Sequence, residues 1–453
     1  MSTPAASSLA TPAAAPSDGP GALWLVANAR VPSPRAQTLQ VLQASAALVR
    51  AGTRTTLVHA RRADAPGAPE PDGSAAVGAA RAAFHADIAR RFALSVADVP
   101  ALRAARCIDW IDRVPRALQF LPAREQELSF ARSAAALIAR EAAPDDFVLT
   151  RELEVAHTLR ARPRTYLELH RIPEGRLRRR WLARAAAELA GVVAISGGVR
   201  EDLVSLCRDY GVDLAQGASP ALPRVCVAHD AFDPERFAAL PSRADACAAL
   251  GLDPERPVVV YTGGLMHWKG VEVLVDAAHD PRLADVQVVI AGGMDADVER
   301  VRRYAAQLGQ VRVDGFQPAA RVPLYLAAAD VGVVPNRSRP AISARYTSPL
   351  KVFEAKAAGL PLVVSDLPSL REVLGEDEAV FVAPDDAGAL AAGLLRLLAD
   401  GPERARRSAR MRALSAEHTW GARAARLLAW MGARSAQAAA AGGPAARAQG
   451  DVA

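Results

Sequence analysis

One segment constrains the fold more than any other: "PVVVYTGGLMHWKGVEVLVDAA", which begins at Pro257. It runs from a block of β-branched residues through a glycine pair into a helical stretch. A block apolar at every position suits a strand covered on both faces, and such strands are parallel and linked by helices. The same succession recurs along the chain. Strand signals stand at "ALWLVA", "RTTLVHA", "DFVLT", "TYLELH" and "GVVAIS", then, after "RVCVAHDAFDPERF" ends the first half, at "PVVVYT", "VQVVIAGG", "VRV", "VGVVP" and "PLVVS". Between the first two, "RAQTLQVLQASAALVRAG" has a helical apolar face at Leu39, Leu42, Ala46 and Leu48, ended by Gly52. The alternation predicts an α/β fold of two doubly wound, Rossmann-like halves.

At 453 residues the chain is long for one core and suits two. The predicted division is a tail at 1–20, a first domain at 21–236 and a second at 237–414. Residues 415–433 cross back to the first domain, and 434–453 form a second tail. Residues 63–140 are helix-rich and resist parsing. "MSTPAASSLATPAAAPSDGP" lacks the basic and leucine-rich regions of a signal peptide and reads as disordered. No run of 18 apolar residues occurs, so no membrane-spanning helix is expected. Cys107, Cys207, Cys226 and Cys247 show no metal or redox spacing and fit a reduced, cytoplasmic setting. The net charge of +6 permits anionic substrates or an acidic membrane surface. Nucleic acid is not a predicted partner, because no basic stripe with interleaved aromatics appears.

The first strand ends in "VANARVPSPRAQ" and lacks the glycine fingerprint of dinucleotide binding, which counts against an NAD-dependent oxidoreductase. The Gly263-Gly264 turn and Lys269 read either as a phosphate-approaching loop or as a plain strand-to-helix turn with an exposed lysine. Lysine is scarce: Lys269, Lys351 and Lys356 are the only three. Two of them lie in "ARYTSPLKVFEAKAAGLPLVVSD". There Ser348 is the predicted N-cap, Pro349 the first helical residue and Gly359 the stop. Glu354 is either a helix charge paired with Lys351 or a carboxylate that holds vicinal hydroxyls.

The segments "YTGGLMHWKGVEVLVDAA", "VQVVIAGG", "SPLKVFEAKAAGLPLVVSD" and "LPSLREVL" together resemble the C-terminal half of family-4 glycosyltransferases. "ANARVPSPRAQTLQVLQASAALVRAG", "LELHRIP", "AISGGVREDLV" and "VAHDAFDPERF" resemble the N-terminal half. The resemblance implies the GT-B fold, two Rossmann-like domains facing a central cleft. It implies retaining transfer from a nucleoside-diphosphate sugar, with no metal and no cofactor. It assigns His170, Lys269 and Glu354 as catalytic residues: Lys269 on the pyrophosphate, Glu354 on the ribose and His170 near the transferred sugar. Gly263, Gly264, Tyr346, Thr347, Ser348, Leu350 and Lys351 complete the donor-binding set.

The sequence departs from the family pattern in three places. Tyr346 stands where the first glutamate of E-x7-E belongs. Gly264 stands where an arginine usually accompanies the lysine. Pro32, Ser33, Pro34 and Arg35 replace a glycine pair in the first loop, with Arg35 a candidate cation on the acceptor side. Lys351 is predicted to replace the missing arginine, and Lys356 to be a surface charge. The acceptor is not legible; a glycan, lipid-linked or small-molecule acceptor fits. The competing reading is a catalytically weakened GT-B protein that binds a nucleotide sugar or a partner enzyme. Five arginines between Arg171 and Arg180 form either a solvated helix start or a contact with an anionic membrane, with Trp181 at the interface.

Overall fold

The computed structural model describes residues 21–440 apart from 34, 63–66, 71–72, 116–117 and 216–221. The predicted tail at 1–20 and the position of Pro34 lie outside the described residues. The first sheet contains Leu23–Arg30 (β1), Thr55–Arg61 (β2), Ala101–Arg106 (β3), Phe147–Thr150 (β4), Thr165–Leu169 (β5), Gly191–Ala194 (β6) and Val225–Val227 (β7). The second contains Val258–Thr262 (β8), Gln287–Ala291 (β9), Val311–Gly315 (β10), Val331–Val334 (β11), Leu362–Ser365 (β12) and Ala379–Val382 (β13). Their orders are β3-β2-β1-β4-β5-β6-β7 and β10-β9-β8-β11-β12-β13. Every pairing is parallel. Helices therefore cover both faces, and strands such as β4, β5 and β8 are buried at every position.

In each sheet the winding reverses beside the first strand. β1 neighbours both β2 and β4, and β8 neighbours both β9 and β11. The crevices outside the carboxyl ends of β1/β4 and β8/β11 are where an open parallel sheet presents ligand sites.

Two crossings join the halves. The segment around Phe232 pairs with Thr419, with Phe232 N donating to His418 O at 3.1 Å and Trp420 N to Phe232 O at 3.0 Å. The final helix, Trp420–Ala440, then lies on the first half. Trp420 Nε1 donates to Gln43 at 2.9 Å, Tyr166 Oη to the Met431 carbonyl at 2.9 Å, and Trp430 Nε1 to the Pro223 carbonyl at 3.0 Å. This helix continues to Ala440, so residues 434–440, predicted as tail, are helical. Buried Arg434 donates to the Ala190 carbonyl at 3.1 Å.

The helix Leu350–Ala358 is buried on nearly all sides. That corrects the expectation for Lys356, which is not a surface charge. It is 2 % exposed and pairs with buried Glu378 at 2.5 Å. Gly359 ends the helix as predicted, at φ 67°. No described helix is long and apolar enough to cross a membrane.

Candidate active site

The carboxyl end of β8 turns through Gly263, at φ +130°. A Cβ there would sit 3.2 Å from the Lys351 Nζ, so a side chain at this position would displace the lysine. At Gly264, where the family places an arginine, a Cβ would meet Met266 Sδ at 2.9 Å. The Gly264 carbonyl instead accepts from Tyr261 Oη at 2.5 Å. A turn His267–Lys269 follows, and Gly270, at φ +69°, packs its α-carbon against the Pro335 carbonyl at the end of β11. This close approach fixes Lys269 at the β8/β11 crevice. Its ammonium lies 3.9 Å over the Trp268 ring. Burial pulls its pKa down to about 8, with the Asp230 carboxylate opposing.

Lys351 reaches the same place from the other side. Its residue is 8 % exposed, its Nζ meets no hydrogen-bond acceptor, and it lies 3.5 Å over the Tyr261 ring. Burial, reinforced by the charge of Lys269, holds its pKa well below the usual lysine value. Two of the three lysines thus lie close enough to act on each other electrostatically. Thr347 and Ser348, just before the helix, are buried. Ser348 is not the N-cap. Pro349 holds that position, the helix starts at Leu350, and no side chain caps it. The Ser348 hydroxyl is diverted across the halves, where it accepts from the Asp230 backbone N–H at 2.7 Å. The first-turn N–H groups of this helix therefore face the crevice without a side-chain partner. Leu350 packs its side chain on the core of the first half. Asn336, fully buried at the end of β11, has no partner for either end of its amide.

Glu354 is buried and ion-paired. Its Oε1 accepts from Arg236 Nη1 at 2.9 Å, so it is not paired with Lys351. Tyr346 turns away from the lysines. Its hydroxyl donates to Asp202 Oδ2 of the first half at 2.6 Å, and neighbouring Arg345 donates to Asp202 Oδ1 at 2.8 Å. Burial and this bond raise the Tyr346 pKa to about 12. Beside it, Glu372 of the second half accepts the Gly197 and Gly198 N–H groups at 2.6 and 3.1 Å, at the start of the helix Gly197–Asp209.

His170 follows β5. Its Nε2 donates to Glu168 Oε1 at 2.8 Å, and its Nδ1 accepts from Arg151 Nη2 at 3.3 Å. Burial and the Arg151 charge hold its pKa down at about 4, so the ring is neutral. Both ring nitrogens are thereby committed to protein, although 28 % of the side chain stays exposed. Glu168 Oε2 in turn accepts from Arg423 Nη2, on the final helix, at 2.7 Å. Burial opposes ionisation of Glu168, but Arg423 and His170 outweigh it and hold the carboxyl well below its ordinary value.

Sequence reasoning missed the residue that links these groups, Asp230. It is buried, bonds Ser348 through its N–H, accepts from Gln40, and acts electrostatically on Lys269. Burial raises its pKa to about 7. Its position after β7, in the quoted "VAHDAFDPERF", was the available signal. Arg35 is exposed in the first loop, and its charge, with that of Arg30, adds to the burial that lowers the Arg62 pKa. A cavity of about 520 Å³ opens between the halves, lined by Arg171, Arg179, Asp202, Asp209, Ile342 and Tyr346. Among the described residues no group of three or more His, Cys, Asp or Glu is placed to hold a metal ion.

Residues 256–400 match the family described as Glycosyl transferases group 1. D-inositol 3-phosphate glycosyltransferase of Xylanimonas cellulosilytica is 33% identical over 248 residues, 52% of this chain and 55% of that protein. Alpha-maltose-1-phosphate synthase of Mycolicibacterium smegmatis is 33% identical over 249 residues, 50% of this chain and 58% of that protein. The chain thus spans little more than half the length of the curated relatives it matches. Among solved structures, sucrose-phosphate synthase from Thermosynechococcus elongatus superposes with a TM-score of 0.67 at 22% identity, covering 93% of this chain and all (100%) of that one. Anabaena HepE in complex with UDP gives 0.62 at 15% identity, covering 91% of this chain and 100% of that one. These likenesses fix the architecture: the chain has the GT-B fold, and its residues 256–400 match the glycosyl transferases group 1 model.

Proposed function

We propose that the protein is a retaining glycosyltransferase that moves a sugar from a nucleoside-diphosphate sugar to an acceptor not yet identified. One observation carries this reading: buried Lys351 and half-buried Lys269 act on each other where β8 and β11 end, beside a helix N-terminus with no side-chain cap, and the Lys351 amine has no hydrogen-bond partner. A buried, unpaired cation is costly unless an anion completes it. A diphosphate would. As the bond to the anomeric carbon breaks, negative charge grows on the leaving diphosphate. Lys269, Lys351 and the N–H groups of Leu350 and Lys351 stabilise that charge in place, without a metal or cofactor. Glu354, steadied by Arg236, keeps its second oxygen for the ribose. His170 stays neutral and presents its exposed edge to the sugar. The acceptor enters by the cavity beside Arg171 and Tyr346 and attacks on the face the diphosphate leaves.

The neighbour bound to UDP supports a nucleoside-diphosphate donor, and the relatives named for inositol phosphate and maltose phosphate support a phosphorylated small molecule as acceptor or product. A cytoplasmic location with peripheral contact to an anionic membrane belongs to the same proposal. The test is release of nucleoside diphosphate from a panel of nucleotide sugars, with and without extracts that contain acceptors. No release from any sugar, with binding intact, selects the second reading, a catalytically weakened GT-B protein. The observation favouring that reading is Tyr346, which is engaged by Asp202 rather than by the site.

A further inference from the structure

Half of the large hydrophobic side chains left exposed among the described residues fall in one part of the first half: Ile108, Leu118, Phe120, Leu121, Leu128 and Leu177. Four of these, Leu118, Phe120, Leu121 and Leu177, are 51, 61, 55 and 61 % exposed. They belong to, or directly precede, the first turns of two helices, Phe120–Glu141 and Arg176–Glu188. The two turns sit side by side. Arg124 and Arg178, one from each helix, both bond Glu154 Oε1, at 3.2 and 2.8 Å. Phe120 and Leu121 lie four and three residues before Arg124, on the same side of their helix, and Leu177 adjoins Arg178. The apolar residues therefore form one patch and not scattered singles.

The patch is bordered by positive charge. Arg171, Arg176, Arg179 and Arg180 are exposed, with Glu174 the one exposed acid between them. Among the described residues Arg171, Arg176 and Arg180 pair with no carboxylate. Trp181, foreseen as the interfacial aromatic, is instead stacked on His157 at 4.9 Å and 12°.

We propose that this patch, Leu118, Phe120, Leu121 and Leu177 with its border of arginines, docks the protein on an anionic lipid bilayer. Exposed apolar side chains enter the headgroup boundary while arginines meet anionic headgroups. A second copy of the chain fits poorly, because it would bring two arginine borders together. Arg171 and Arg179 of the border also line the cavity between the halves, so docking brings the mouth of that cavity beside the lipid. This placement narrows the membrane contact named above and does not depend on sugar transfer, since binding is read without donor.

The experiment is vesicle flotation of the full chain on phosphatidylcholine alone and on phosphatidylcholine with phosphatidylglycerol. Binding is expected only with phosphatidylglycerol and should weaken as salt rises. Arg176→Glu with Arg180→Glu should lower partitioning by about tenfold or more. Phe120→Ser with Leu177→Ser should do the same with unchanged circular dichroism, since both side chains are exposed. The proposal is overturned by absent binding, by binding indifferent to phosphatidylglycerol, or by either double variant binding as the parent does. Light scattering supplies one more outcome: a dimer lost in Phe120→Ser with Leu177→Ser reassigns the patch to a second copy. Nucleoside diphosphate release, measured separately, shows whether the transfer reading stands or falls on its own.

Discussion

Tyr346 Oη and Asp202 Oδ2, on opposite halves of the protein, are joined by a 2.6 Å hydrogen bond. Tyr346 occupies the place of a family carboxylate, and the bond explains why a carboxylate would be unwelcome there. It would face Asp202 directly and place two carboxylates side by side, with only Arg345 bonded to Asp202 and Arg179 acting at longer range. With the Glu372 bonds to Gly197 and Gly198, the contact ties the segment before the helix Leu350–Ala358 to the start of the helix Gly197–Asp209. Tyr346→Glu is therefore expected to loosen the contact between halves, whereas Tyr346→Phe removes one bond and no more. Hydrogen exchange across residues 197–202 should rise strongly in Tyr346→Glu and slightly in Tyr346→Phe. Adding Asp202→Asn should return Tyr346→Glu toward the parent. If exchange is the same in all variants, Tyr346 does not hold the halves together.

Lys351 carries the second prediction. If it replaces the arginine lost at Gly264, Lys351→Ala should reduce turnover by about a hundredfold, the usual loss when one preorganised charge is removed. Lys351→Met keeps the packing against Tyr261 and should lose as much. Steady-state donor kinetics decide the point, and an unchanged rate at low donor concentration refutes it.

The amines also set a pH dependence. Burial lowers the Lys269 pKa to about 8, and burial with the Lys269 charge holds that of Lys351 well below the usual lysine value. An anion favours the protonated form, so affinity for a nucleoside diphosphate should fall as pH rises above about 8. In the unliganded protein the sign is opposite. Between about 8 and the unfolded value of about 10.5, the unfolded chain binds more protons than the folded one, so stability rises with pH. Calorimetric titration with a nucleoside diphosphate should show proton uptake on binding at about pH 8 to 9. The uptake should shrink in Lys269→Arg, because arginine stays charged. Equal uptake in both proteins would point to another group.

Much of this was legible in the sequence, for physical reasons that differ by residue. Ten of the strands announce themselves, most of them because strands buried on both faces tend to be apolar throughout. The three others, β3, β7 and β13, are edge strands. β3, "ALRAAR", has an exposed face and no β-branched residue, and β13, "AVFV", is short and follows acidic turns. Lys269 and Lys351 stood out because lysine is rare here. Asp230 did not, since an aspartate after a strand is common, and its importance comes from burial between elements far apart in sequence. Ser348 looked like a cap from local rules, but a long-range acceptor claimed its hydroxyl. Likewise Arg423 and Glu168 meet only because the final helix crosses back.

That last pair gives a stability prediction. Arg423 and Glu168 are 4 % and 5 % exposed, and Glu168 also holds the His170 ring. Arg423→Ala leaves a buried carboxylate with one strong partner removed and should cost about 3 kcal/mol or more. Glu168→Gln should cost less stability but disturb His170, because an amide can present its N–H to Nε2 and reverse the tautomer. Urea unfolding measures the first effect. The second appears as a changed histidine nitrogen spectrum, and an unaltered tautomer would show that Glu168 does not set it.

Lys356 and Glu378 close the set because they were misjudged from sequence. The pair is 2 % and 3 % exposed, and Lys356 Nζ also lies 3.4 Å from His418 Nε2, at the crossing between halves. Burial of two charges is weakly favourable at best when they are paired, and strongly unfavourable when one is left alone. Lys356→Met should therefore destabilise the fold by about 3 to 5 kcal/mol. Lys356→Met with Glu378→Leu should recover most of that loss, since apolar side chains of similar size replace both charges. A surface lysine would behave differently: Lys356→Met would then change stability by no more than about 0.5 kcal/mol. Urea midpoints of the two single variants and the double variant separate these cases. The burial of Lys356 stands only if the singles fall together and the double does not.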